Sequence, residues 1–488
     1  MPFYTLWVKF AESKVILHME RTNSAVIAPE EIQKQKDIID AIRIRFEHLG
    51  VNKKAFVETY GCQQNVNDSE LLTGMIEGMG YTMTEDKEQA DLILYNTCAV
   101  REGAEMKVFG NLGALKHLKT KKPDVIIGVC GCMMQQEDIQ KQIKSKYKHV
   151  SVVFGTHSLY RFPEILQKVL LEETRVFDVV DGGAIAEGLP ISRKEGPCAW
   201  VSIMYGCNNF CTYCIVPYVR GRERSRDKQI IISEIKQLAK EGYKEITLLG
   251  QNVNSYGNDL DEDIDFADLL YMVHDIEGIE RIRFMTSHPK DISDKLIETM
   301  AKLPKVCKQL HLPVQAGNNE VLKSMNRRYT KENYLEKIQK IRTLMPDITL
   351  TTDIIVGFPT ETNEQFKDTI DVLKKVRYDT IFSFIYSRRP GTPAAKMEFV
   401  TPEHDIKENF NELLKVQDVI SKEINDSYVG KVEKVLVEGP SKTNPDTLTG
   451  RTEGGKIVNF EGDSALIGTI VDVKVTESRT WSLVGELI

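Results

Sequence analysis

Residues 205–214 read Tyr205-Gly206-Cys207-Asn208-Asn209-Phe210-Cys211-Thr212-Tyr213-Cys214, three cysteines at CxxxCxxC spacing directly behind the apolar run 199–205. Strand-like runs recur beyond them at 245–249, 281–286, 309–314, 349–356 and 380–386, with helical patterns between. Six βα units of this kind fit an incomplete (β/α)6 barrel, whose functional groups belong at the carboxyl ends of the strands. The three cysteines lie just past the first such end.

Three thiolates on a compact loop hold three irons of a cubane cluster and leave the fourth iron without a protein ligand. The amino and carboxylate groups of S-adenosylmethionine suit that open position, and one-electron reduction there splits the sulfonium into methionine and a 5′-deoxyadenosyl radical. The competing readings are a zinc knuckle or a set of buried structural cysteines. Zinc wants four ligands at shorter gaps, and the nearest extra thiol, Cys198, precedes the strand at the opposite end.

Upstream, 54–170 alternates short apolar runs (55–59, 91–95, 125–129, 150–154) with helical patterns (67–79, 102–118, 135–146, 158–171), the signature of a parallel sheet in an α/β layer fold. Cys62, Cys98 and Cys132 each fall a few residues past one of the first three strands. Those ends share one edge in a parallel sheet, where such folds place ligands, so three cysteines distant in sequence are expected to converge. Cys130 offers a second thiolate in the same Cys-Gly-Cys step but lies within or at the end of its strand. Cys132 is the favoured ligand, and Cys130, Cys198 and Cys307 are read as core packing.

The chain has 488 residues, 41% hydrophobic and 28% charged, and roughly three domains are expected at this length. No run of apolar residues is long enough to span a membrane. The first 18 residues, ahead of Met19, lack the uninterrupted apolar core of a secretory signal, and a cytoplasmic location is expected. Nine cysteines in a reducing compartment point to metal or redox use rather than disulfides. A net charge of −7 argues against a uniformly basic nucleic-acid coat, while local basic stretches still suit phosphate. The Gly-rich stretch DGGAIAEGLPISRKEGP reads as a linker. The last 60 or so residues alternate short runs with turn clusters, as in a small all-β barrel that binds oligonucleotides.

These segments together resemble the methylthiotransferase family of radical SAM enzymes. CNNFCTYC matches the radical SAM signature, and IVPYVRGRERSR, LLGQNVNSYG, TSHP, LHLPVQAGNNEVLKSMNRRYT, TDIIVGFPTET and FIYSRRPGTPAA resemble the methylthiotransferases specifically. In the front domain ETYGCQQNVNDSE, NTCAVRE and GCMMQQ resemble the family's auxiliary-cluster segments, and the tail resembles its TRAM domain. The implied fold is α/β: a flavodoxin-like parallel-sheet domain, a radical SAM partial barrel and a small all-β TRAM barrel. The expected boundaries are 1–50 N-terminal extension, 51–172 auxiliary-cluster domain, 173–195 linker, 196–425 radical SAM core and 426–488 TRAM domain.

The resemblance implies two 4Fe-4S clusters, one on Cys62, Cys98 and Cys132 and one on Cys207, Cys211 and Cys214, with S-adenosylmethionine as cofactor. It implies tRNA carrying N6-isopentenyladenosine as substrate, modified at carbon 2 with two S-adenosylmethionine molecules per turnover. The alternative targets are threonylcarbamoyladenosine in tRNA or a ribosomal-protein aspartate. A tRNA-binding protein with purely structural clusters is the reading from another class. Tyr213, Gly250, Gln251, Gln315, Gly357 and Glu361 are candidate cofactor contacts, with Thr360 departing from the Gly common among relatives. Arg220, Arg222, Arg388 and Arg451 are candidate RNA contacts, joined in the tail by Lys456, Asn459 and Phe460 for phosphate and stacking. No protein acid or base stands out as catalytic. The electron donor is not evident, and a monomer is the expectation.

Overall fold

The computed structural model describes residues 26–488 except 100, 101, 173, 194, 443 and 445. The first 18 residues, and the Val-Arg step inside NTCAVRE, lie outside the described residues.

Continuous apolar runs become the centre of a parallel sheet because both of its faces are buried under helices. Strands β1 (Lys53–Thr59), β2 (Tyr81–Met83), β3 (Leu92–Thr97), β4 (Ile126–Gly131), β5 (Val152–Phe154) and β6 (Val176–Asp178) form one sheet in the order β2-β1-β3-β4-β5-β6. Every residue of β3, β4 and β5 is buried. Helices α1 (Pro29–Leu49), α2 (Gln63–Gly78) and α5 (Phe162–Glu172) cover one face, and α3 (Glu102–Lys121) and α4 (Glu137–Lys146) cover the other.

Two boundaries differ from the sequence reading. Residues 29–49, assigned there to an extension, form α1, whose Ile32, Ile39, Ile42 and Phe46 are buried in the first domain's core. The stretch 173–195, read as a linker, supplies the sixth strand of the sheet, and its Ile185 and Leu189 join the same core. The edge strand precedes the Gly-rich stretch, which begins only at Asp181.

The barrel strands are β7 (Cys198–Ser202), β10 (Glu245–Leu249), β11 (Arg281–Phe284), β12 (Gln309–His311), β13 (Thr349–Val356) and β14 (Thr380–Ile385). They pair in two parallel triplets, joined by a parallel bridge from Ile282 to Val306 just ahead of β12. The result is a six-stranded arc open between β7 and β14. A short antiparallel pair, β8 (Met204–Tyr205) with β9 (Arg224–Ser225), clamps the two ends of the cysteine loop.

Helix Glu403–Asp426 leads to β15 (Val432–Pro440), β16 (Thr447–Thr452), β17 (Ile457–Glu461), β18 (Ile470–Ser478) and β19 (Leu483–Leu487), a closed barrel ordered β15-β16-β17-β19-β18. Two buried arginines of β11 dock it on the partial barrel. Arg281 donates to the carbonyls of Arg451 and Lys434 at 2.8 and 2.7 Å, and Arg283 donates to those of Thr452 and Glu453, each at 2.7 Å. The chain is thus α/β throughout its first two domains and all-β in its third.

Phe46 packs edge-on to Tyr81, with ring centroids 5.2 Å apart. Phe46→Ala should destabilise the first domain by about 3–5 kcal/mol, the usual cost of emptying a buried aromatic site. Hydrogen exchange should then quicken across β1–β4 and stay unchanged in the partial barrel.

Candidate functional site

Three neighbouring strand ends assemble the first thiol trio. Cys62 is the N-cap residue of α2, Cys98 follows β3, and Cys132 follows β4 at the start of a 3-10 turn. Gly61 holds φ +125°, and a Cβ there would lie 2.5 Å from Cys98 Cβ and 2.9 Å from its Sγ, so only glycine lets the two segments meet. Asn65, on the first turn of α2, ties the group together. Its Oδ1 accepts from Cys62 Sγ at 3.4 Å, Cys132 Sγ at 4.0 Å and Arg220 Nη2 at 3.1 Å, while its amide donates to Thr97 O at 2.8 Å. Cys98 and Cys132 are buried and Cys62 is half-buried. Burial pushes the Cys132 thiol up to about 12 despite the nearby Arg220 guanidinium, so iron must displace protons to bind here. Cys130 points elsewhere: it is fully buried in the apolar core with Ala55, Leu94 and Val152.

The second trio stands on the loop between β8 and β9. Gly206 opens the loop at φ +76°, and a Cβ there would fall 1.9 Å from Arg222 O. Its N–H donates to the Gln251 side-chain oxygen, and the Cys207 N–H donates to Gly221 O at 3.1 Å. The Asn326 amide holds the tip by donating to Phe210 O at 2.9 Å. Cys207 and Cys211 are buried and Cys214 is half-buried. Burial, with a smaller push from the neighbouring sulfurs, raises the Cys207 thiol and lifts Cys214 to about 12. Arg327 Nη1 donates to Cys211 Sγ at 3.4 Å, and its Nη2 donates to Pro313 O at 2.7 Å.

The trios adjoin. Ala99 and Cys132 pack with Ile215 and Val219, one and five residues past Cys214, in one small buried apolar cluster. Gln64 donates to Ser202 Oγ at 2.8 Å, and Gln251 donates to Gln64 at 3.4 Å, stitching α2 to the first two barrel strands. Among the described residues, the one His/Cys/Asp/Glu trio whose ligand atoms lie within 4.8 Å of one another is the exposed set His404, Asp405 and Glu408. Three thiols at each cysteine site are one short of a closed zinc site and suit a cubane cluster with one iron left open.

Several expected cofactor contacts have structural partners of their own. Gly250 packs against the Met204 side chain. Gln315 sits at φ +70° and donates its backbone N–H to Asp353 O at 2.9 Å. Tyr213 OH accepts from Arg327 Nη1 at 3.5 Å. The Gly357 N–H donates to Glu361 Oε2 at 2.7 Å, and burial raises the Glu361 carboxyl to about 7. Buried polar atoms without a partner gather past the barrel strand ends, among them Asn209 Nδ2, Asn252 Oδ1, Ser287 Oγ, His288 Nε2 and Glu361 Oε1. Buried polar groups are ordinarily satisfied, so a concentration of such atoms marks a crevice that receives a polar ligand. Burial, followed by the charges of Arg327 and Lys290, holds His288 neutral, and its Nδ1 accepts from the Lys290 N–H at 3.1 Å.

The proposed RNA contacts fare differently. Arg220 is buried and ion-paired to Asp68 at 2.7 Å, so it is not an RNA contact. Arg222 is exposed, its guanidinium 4.3 Å from the centre of the Phe210 ring. Arg388 is exposed, yet donates to the carbonyls of Ala395 and Met397 at 3.1 and 2.9 Å. Arg451 pairs with Glu438 at 2.8 Å in the cavity between the two barrels. Lys456 pairs with Asp379 at 3.1 Å, and Phe460 is buried inside the closed barrel, where alternation along β17 places it. Neither is free for phosphate or stacking. Sequence reading missed Asn65, Asp68, Ser287, His288 and Arg327. The spacing Cys62, Asn65, Asp68 on one helix face was the available signal for the first two.

Two thiol trios beside one crevice, on a parallel sheet and a partial barrel, define an enzyme of the radical SAM class that carries 4Fe-4S clusters and uses S-adenosylmethionine. Residues 201–373 match the Radical SAM superfamily, 54–155 the Uncharacterized protein family UPF0004, and 426–488 the TRAM domain. The chain is 57% identical over 471 residues to the tRNA-2-methylthio-N(6)-dimethylallyladenosine synthase of Alkaliphilus oremlandii, covering 96% of this chain and 100% of that protein. It is 56% identical to the protein of the same name from Acetivibrio thermocellus, covering 95% and 97%. The chain belongs to the tRNA-2-methylthio-N(6)-dimethylallyladenosine synthase family. Among solved structures it shares the fold of the radical S-adenosylmethionine methyltransferase TsrM from Kitasatospora setae, with a TM-score of 0.51, 13% identity, and 70% and 75% of the two chains covered. Among the described residues no helix is long and apolar enough to cross a membrane.

Because a Cβ at Gly206 collides with backbone, Gly206→Ala should empty the second trio and spare the first. Reconstituted protein should fall from about eight to about four iron atoms per chain by iron assay, the content of one cubane cluster.

Proposed function

We propose that this chain adds a methylthio group to carbon 2 of N6-isopentenyladenosine beside the anticodon of tRNA, using two S-adenosylmethionine molecules per turnover. The observation that carries the reading is the adjacency of two incomplete thiol sites, one at the sheet edge and one on the barrel loop. It is supported by near full-length likeness to synthases named for the N6-dimethylallyl, or isopentenyl, nucleoside. When bound, the cluster on Cys207, Cys211 and Cys214 supplies the electron that turns S-adenosylmethionine into a radical source, and the cluster on Cys62, Cys98 and Cys132 supplies the sulfur site. The chain's own residues orient and enclose. Gln251 and Asn326 fix the loop backbone, which keeps the second trio in register with the crevice. His288, held neutral with Nδ1 accepting, presents Nε2–H as a donor, and Ser287 adds a hydroxyl beside it. Arg222 is exposed and stacked on Phe210, which supports a phosphate of the tRNA as its partner.

The test is nucleoside mass spectrometry after incubating anaerobically reconstituted protein with reductant, S-adenosylmethionine and isopentenyladenosine-containing tRNA. The methylthio mass increase should appear on that nucleoside and vanish in both Cys207→Ala and Cys62→Ala. Cleavage of S-adenosylmethionine with an unchanged nucleoside would retain the radical chemistry and reject this substrate.

A further inference from the structure

We propose that Arg220 raises the reduction potential of the cluster held by Cys62, Cys98 and Cys132, and that Asp68 limits the effect. The inference rests on the assignment of a cluster to that trio. Arg220 lies six residues past Cys214, on the loop of the other trio, yet its guanidinium crosses to the first domain. Its Nε donates to Cys132 Sγ at 3.1 Å, and its Nη2 donates to Asn65 Oδ1 at 3.1 Å and Asp68 Oδ2 at 2.7 Å. Both side chains of the ion pair are only 6% exposed. A small cavity adjoins the pair, yet charges buried this far are screened much less than exposed ones, so the guanidinium is felt at the sulfur.

Reduction of a cubane by one electron from an external donor adds one negative charge to the iron, sulfide and thiolate assembly. No proton moves with it, and the guanidinium stays cationic. A buried cation donating N–H to a ligand sulfur stabilises the more negative, reduced form and so raises the potential, since hydrogen bonds to sulfur and local charge are among the protein's levers on such clusters. Asp68 opposes this by cancelling part of the positive field. The contact thus contains one group of each sign, and removing them one at a time must move the potential in opposite directions. Arg327 stands in the same relation to Cys211 of the other trio, and no carboxylate is among its described hydrogen-bond partners.

The experiment is a redox titration of the full-length two-cluster protein followed by electron paramagnetic resonance. The signal of the first trio is identified as the one that survives when Cys207, Cys211 and Cys214 are all alanine. In Arg220→Gln the reduced-to-oxidised ratio of that cluster at a fixed potential should drop about tenfold or more, equivalent to about 59 mV for one electron. Arg220→Lys should recover part of the loss, Asp68→Asn should shift the ratio the other way, and Arg327→Gln should move only the other cluster. If Arg220→Gln fails to hold its cluster, the sign of the Asp68→Asn shift and the size of the Arg220→Lys shift decide. Shifts of the same sign in Arg220→Gln and Asp68→Asn, or none in either, overturn the inference. Wild-type protein lacking that signal, with the other present, overturns the cluster assignment beneath it.

Discussion

The buried pair between Arg220 and Asp68 is the constraint around which the first two domains are arranged. Taking both charges out of water costs more than an exposed pair ever returns, so such a contact persists only where each remaining donor and acceptor has a partner. Asn65 and Cys132 accept from the guanidinium, and Gln64 donates to the other Asp68 oxygen at 3.3 Å. The arginine belongs to the barrel loop and the other three residues to the sheet domain. Their union therefore fixes where one strand-end edge meets the other, and with it the position of each thiol trio relative to its neighbour. Ala99, Ile215 and Val219 pack with Cys132 beside the contact in one buried apolar cluster.

The sequence made the cysteines legible because continuous apolar runs in α/β proteins signal parallel strands, and parallel strands share their functional edge. It made their electrostatic partners almost illegible. Arg220 sits in a run of four arginines within seven residues, and on composition alone it is the natural phosphate contact. Its neutralising carboxylate lies 152 residues away, and nothing local announces that meeting. Phe460 was lost for a different reason: an aromatic in a nucleic-acid-like barrel reads as a stacking platform until closure of the barrel fixes which side of β17 faces inward. Helix α1 failed on pattern, since its Glu-, Lys- and Gln-rich surface outweighs the narrow Ile32, Ile39, Ile42, Phe46 stripe.

The third domain shows how basic residues are consumed by architecture. Arg281 and Arg283 come from a barrel strand and donate to backbone carbonyls rather than side chains of the closed barrel. A carbonyl acceptor is present whatever residue occupies the position, so docking of this kind tolerates sequence change in the partner domain. Arg451 and Lys456 are drawn into the same interface by Glu438 and Asp379. The segment that looked most like a nucleic-acid contact in the tail is thereby the segment that joins the domains.

The two arginines that donate to cysteine sulfurs differ in their counter-charges. Arg220 is ion-paired to Asp68 at 2.7 Å. Arg327 is buried with Pro313 O, Tyr329, Tyr213 and Cys211 as hydrogen-bond partners, none of them a carboxylate. An isolated buried guanidinium is costly, and the thiolates created by iron binding are the anions nearest to offset it. A cluster on the second trio would set thiolate charge directly beside that guanidinium. At the first site the Asp68 carboxylate already balances the guanidinium, so the two trios meet their arginines with different counter-charges in place.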